Sequence, residues 1–94
     1  MGEWKHFDIN FSECKYHDDL HDELKHKLDF MDGYGKNLDA LWDCITGYMY
    51  TPAYITIRGA GKLPQSLISE FEGIMSVFKD AEIMYGEIRV TVVA

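Results

Sequence analysis

Apolar residues recur along this chain in two rhythms. Between Trp4 and Phe11, Phe7, Ile9 and Phe11 alternate with polar neighbours, a period of two that predicts a strand. Ser12 to Asp18 is a polar connection. Leu20, Leu24 and Leu28 then repeat at fourfold spacing and predict a helix that Asp18 or Asp19 would cap. Asp29 to Gly35 is a loop punctuated by Gly33 and Gly35. A second helix follows, with Asn37 as its N-cap and Gly47 as its stop. Pro52 leads into the β-rich run from Ala53 to Arg58. After a turn at Gly59 to Gly61, Leu63 to Ala81 reads as helix, with Pro64 at its first position and Leu67, Phe71, Ile74, Met75 and Phe78 inward. Gly73 is where that helix would break. Ile88 to Val93 closes the chain as a strand that reads as nearly all apolar, as a central or doubly covered strand would.

The order is strand, helix, helix, strand, helix, strand. Helical crossovers between strands favour parallel pairing of right-handed sense. The expected fold class is α/β: a small single domain, residues 1–94, with a three-stranded parallel sheet and helices packed against it. The strand order stays open.

The central helix has two unlike faces. At about 100° per residue, Leu38, Leu41, Ile45 and Tyr48 gather on a core side. Asp39, Trp42, Asp43 and Thr46 gather on the other. Like charges four residues apart cost a helix about 0.2–0.5 kcal/mol. Asp39 sits in the first turn, where the helix dipole favours an anion. Asp43 has no such compensation. A mid-helix acid beside an outward tryptophan describes a surface prepared for a cationic partner.

Charge and composition narrow the classes. Hydrophobic residues make up 47% of the chain, enough for one compact core and too many for a disordered chain. The net charge is −7 and the pI about 4.8. Phosphate contacts need Lys and Arg, so direct binding of nucleic acid is not expected, whereas a basic protein would be steered in by this field. No run of eighteen apolar residues occurs, so no spanning helix and no membrane partner are expected. Met1 to His6 lacks the basic start and apolar stretch of a secretory leader, which points to the cytoplasm. There Cys14 and Cys44 would be free thiols.

Candidate chemistry is thin. His17 and His21 share a helical face at the spacing of a metal-binding pair, but the sequence places no third ligand, and no metal is expected. Gly59-Ala-Gly61-Lys62 lacks the glycine spacing of a phosphate loop, with Leu63 where a hydroxyl should hold magnesium. Asp43 beside Cys44 opposes thiolate formation, and no triad can be assembled. The expectation is a binding protein, not an enzyme, with no cofactor.

Tyr34-Gly35, the run Asn37 to Cys44 and Thr46-Gly47 resemble the barstar family, intracellular inhibitors of the ribonuclease barnase. Asp19-Leu20-His21 with Leu24 and Leu28, Pro52 before a strand, and Val77 to Ala81 before the last strand also fit. The resemblance runs from about Asp19 to the end, dense in the middle and loose after Arg58. It implies the same α/β architecture and a basic ribonuclease of the barnase type as partner. It implies that Asp43 stands in for RNA phosphate, since a carboxylate offers an Arg fork the acceptors a phosphate does. Asp39 and Asp80 would meet other basic residues at the rim. Trp42, Thr46 and Gly47 would supply packing and backbone contacts, and Asn37 would touch the partner besides capping. The chain departs from the type member in three places, the first being a longer and dissimilar N-terminal strand. Asp80 replaces a Glu, and Gly33 replaces an aromatic residue, whose contact would be lost or fall to Tyr34, Met31 or Tyr50. Two rivals remain: the same fold serving against a basic toxin that is not a nuclease, and a metal-dependent protein built on His17 and His21.

Overall fold

The computed structural model describes residues 3–93; Met1-Gly2, part of the segment read for a leader, lies outside them. Strand β1 is Lys5–Asn10, followed by helix α1, His17–Leu28, and helix α2, Leu38–Gly47. Strand β2 is Ala53–Arg58. Two single 3-10 turns, Ala60–Lys62 and Gln65–Leu67, lead into helix α3, Ile68–Tyr85, and strand β3, Ile88–Val92, ends the fold. All three strands are parallel, in the order β1-β2-β3. The expected α/β architecture is the one observed.

Register explains the layering. Phe7 pairs with Ile55 and Ile55 with Val90, while Ile9 pairs with Ile57 and Ile57 with Val92. These residues share one sheet face, and the helices cover it. Ile9, Ile55, Ile57 and Ile88 are buried there with Leu20, Leu24, Leu41, Ile45, Ile74 and Phe78 from the helices. Each such side chain contributes about 1.5–3 kcal/mol on leaving water. The other face carries His6, Asp8, Tyr54, Arg58 and Arg89, all exposed. Tyr54 stacks on His6 at 5.0 Å, and Arg58 Nε donates to Asp8 Oδ1 at 2.9 Å.

The last strand therefore departs from expectation. It is an edge strand with one face in solvent, not a central or doubly covered one. Ile88-Arg89-Val90-Thr91-Val92 in fact alternates, and Arg89 and Thr91 point away from the helices.

Three helix expectations also shift. The first turn of α1 is closed from inside: Asp19 Oδ2 accepts from the backbone N–H groups of Lys15 and Tyr16 at 2.9 and 3.0 Å, so neither Asp18 nor Asp19 is the N-cap itself. Pro64 is not in the first turn of α3; its ψ of 150° is extended, it caps the 3-10 turn Gln65–Leu67, and the α-helix begins at Ile68. The third helix does not break at Gly73. A Cβ there would lie 2.6 Å from Leu38 Cδ1, so glycine lets α3 press close against α2. The helix runs on to Tyr85 and is ended by Gly86, whose φ of 70° suits the left-handed C-terminal position. The close α2–α3 crossing sets the neighbouring surface.

Candidate partner-binding face

Helix α2 starts as expected. Asn37 Oδ1 accepts from the Ala40 N–H at 2.8 Å, and its Nδ2 donates to the Gly35 carbonyl at 3.2 Å. Both ends of that amide are engaged within the chain. The inward side of α2 is Leu41, Cys44 and Ile45, all buried, with Leu38 half-buried. Tyr48, expected on the core face, is the C-cap residue and is 66% exposed, because the helix ends before its ring can turn inward.

Asp39 and Asp43 stand one turn apart in solvent. Trp42 is less outward than its position suggested: it is half-buried against the core edge, with its ring centroid 6.4 Å from that of Tyr85. The Thr46 hydroxyl donates to the Trp42 carbonyl at 2.7 Å. Gly47 closes the helix in open space.

Asp80 comes in from α3. Trp42, Asp80, Ile83 and Met84 line an open hollow of about 430 Å³ between the two helices. A smaller one, about 190 Å³, lies beside it, with Thr46, Gly47, Tyr85 and Glu87 among its walls. The structure thus groups Trp42 with Asp80, and Thr46 with Gly47. Tyr85 belongs to both neighbourhoods. Sequence reasoning missed Ile83, Met84, Tyr85 and Glu87 because it ended the helix at Ala81. Gly86 was the signal that could have extended it. Ile83 and Met84 are 76% and 65% exposed, large apolar groups beside an acid.

Exposed acids without a salt bridge occur in several places, Glu13, Asp29, Glu72 and Glu87 among them, but most of those near α1 are paired. Asp8, Asp18, Asp22, Glu23, Asp32 and Glu70 each sit within salt-bridge distance of a base, and Asp19 holds a helix start. Among the described residues no salt bridge reaches Asp39, Asp43 or Asp80. The loop before α2 offers less than expected. Tyr34 is buried, and burial raises its phenol above the ordinary range, with the charges of Cys44 and Glu70 adding to the shift. Its ring is turned inward, away from a partner at Gly33, whereas Met31 and Tyr50 are exposed.

The cysteines are both free and buried. Burial, followed by the charges of Asp19, Glu23 and Asp22, raises the Cys14 thiol from 9.0 to about 11. Burial and Asp43 raise Cys44 as well. Neither is a poised nucleophile. His17 and His21, left without a third ligand by the sequence, are joined in space by Glu70 of α3.

A family model described as Barstar (barnase inhibitor) matches residues 4–94. The chain belongs to the barstar family. It is also 43% identical over 63 residues to a Bacillus subtilis (strain 168) protein named "Putative ribonuclease inhibitor YrdF", a match covering 67% of this chain and 69% of the relative. The barstar family is one of inhibitors, not enzymes. No helix among the described residues is long and apolar enough to cross a membrane.

Proposed function

We propose that this barstar-family protein is a cytoplasmic inhibitor of a basic ribonuclease of the barnase type, protecting the cell that makes the enzyme. The observation that carries this reading is that Asp39 and Asp43 on α2, and Asp80 across the Trp42 hollow on α3, are exposed and neutralised by no base of the described chain. A ribonuclease active site holds cations that bind RNA phosphate. In this reading Asp43 enters that site as the phosphate mimic, and Asp39 and Asp80 meet bases at its rim. Trp42 gives the apolar floor beside the acids. Thr46 and Gly47 contribute packing and backbone atoms, since the Thr46 hydroxyl already donates to its own helix. Asn37 acts mainly by holding the start of α2 in shape, its amide being engaged at both ends.

One observation favours a different basic partner. Gly33 is exposed, and a Cβ there would meet nothing within 4 Å, so the loop lacks an aromatic contact at that position. The same acidic face would then serve against another basic toxin. Titrating a barnase-type ribonuclease with the protein tests both readings. Stoichiometric inhibition whose association rate falls as salt rises supports the nuclease reading, because screening shortens long-range attraction to about 10 Å at 0.1 M. A salt-independent association rate contradicts the electrostatic part. Absence of inhibition contradicts the barnase-type target and turns the search to other basic proteins.

A further inference from the structure

On the side of the molecule where α1 meets α3, two imidazoles converge on one carboxylate. His21 Nε2 lies 2.7 Å from Glu70 Oε2, and His17 Nε2 lies 3.2 Å from the same oxygen. The histidines are one turn apart on α1, and their rings are 5.0 Å apart, centre to centre. One ligand atom from each of the three residues falls within 4.8 Å of the others. We propose that His17, His21 and Glu70 form a binding site for a divalent transition metal, with Zn2+ the best fit.

The donor set is two imidazole nitrogens and one carboxylate oxygen, which suits Zn2+ and not the oxygen-seeking Mg2+ or Ca2+. Zinc holds such atoms at about 2.0–2.2 Å in a tetrahedron, so ligand atoms lie about 3.3 Å apart. The present separations to Oε2 need to open by up to about 0.6 Å, and the two imidazole nitrogens, within 4.8 Å of each other, need to close toward the same spacing. His21 is fully buried and Glu70 mostly so, while His17 is half-exposed. Metal would enter past His17, and the fourth position would hold water.

Each histidine also has an outer partner on its second nitrogen. His21 Nδ1 lies 2.6 Å from the Tyr34 hydroxyl, and His17 Nδ1 lies 3.1 Å from Asp18 Oδ1. Metal-binding histidines are held this way, with the second N–H given to an oxygen that fixes ring and tautomer. The proton balance is simple. Without metal, His21 donates Nε2–H to Glu70 and accepts the Tyr34 O–H at Nδ1. With metal, Nε2 becomes a ligand, its proton moves to Nδ1, and the Tyr34 oxygen becomes the acceptor. His17 releases its Nε2 proton and keeps Nδ1–H on Asp18. Glu70 and Asp18 supply two negative charges to balance the ion. Sequence spacing could give only the pair; the third ligand is 49 residues away from His21.

This site is independent of the inhibitor reading. Calorimetric titration with Zn2+ alone, on chelator-stripped protein, tests it. Wild type should take up one equivalent and melt at higher temperature with zinc, since a ligand bound by the fold stabilises it. His17→Ala removes a half-exposed ligand with little risk to folding. It should weaken zinc binding by more than about tenfold, the effect of losing only an outer partner. Glu70→Gln should weaken it as well, and Co2+ bound to wild type should give the visible absorption of a tetrahedral site that His17→Ala lacks. No saturable zinc binding by wild type, or undiminished binding by His17→Ala, would overturn the proposal.

Discussion

Most acids around α1, Glu13 and Asp29 apart, are paired within the chain, whereas Asp39, Asp43 and Asp80 on the α2–α3 face are not. Around α1, Asp22 reaches Lys36 at 2.9 Å, Glu23 reaches Lys27 at 2.8 Å, Glu70 takes two histidines, and Asp19 closes a helix start. On the other face Asp39, Asp43 and Asp80 are exposed, and no salt bridge among the described residues involves them. An acid answered within the chain serves the fold. An acid left without a partner, at mid-helix and next to a half-buried tryptophan, makes no salt bridge that serves the fold.

Mutations put that contrast to the test. The largest effect is expected at Asp43. Asp43→Ala should lower nuclease affinity by about 2–5 kcal/mol, a range carried over from buried charge pairs in other complexes, the barnase–barstar pair among them. Its stability should move by less than about 0.5 kcal/mol, because an exposed side chain with no partner is lost. Urea unfolding beside a binding titration separates the two quantities. Glu70→Gln should do the reverse. In metal-free buffer it should destabilise by about 1–3 kcal/mol by weakening the contacts of a buried histidine, and leave nuclease affinity unchanged. A large affinity loss there would blur the contrast.

Alkaline unfolding gives a subtler check on the buried side. The Cys14 thiol and the Tyr34 phenol are both raised in the folded chain, so folding favours their protonated forms. Their contribution is complete below the unfolded values of 9.0 and 10.0 and is lost as pH climbs through the folded ones. Urea midpoints should hold up to about pH 9 and then fall, and Cys14→Ala should flatten the fall between 9 and about 11. The smallest effect is expected from Asp22→Ala. It breaks an exposed ion pair and should cost under about 1 kcal/mol of stability, with no change in affinity.

Much of this was legible in the chain, and the misses have common causes. The elements follow from local rhythm, and the parallel sheet from helical crossovers. The α2 acids follow from helical geometry with no tertiary information. The Gly73 reading failed because a glycine's helix penalty is local, whereas the reason for it, Leu38 at 2.6 Å, comes from another helix. The last strand was misread because its two polar residues were outweighed by the apolar majority around them. Ile83, Met84 and Tyr85 were invisible as a patch until the helix was carried to Gly86. Glu70 could not be joined to His17 and His21 at all, since only the packing of α3 on α1 brings them together.

The most direct test measures inhibition of a barnase-type ribonuclease by wild type, Asp43→Ala and Asp22→Ala side by side. The account predicts strong inhibition by wild type and Asp22→Ala, and an inhibition constant raised by at least about thirtyfold for Asp43→Ala, the equivalent of 2 kcal/mol. Equal inhibition by all three proteins would contradict it, because the unpaired acid would then carry no more of the binding than the paired one.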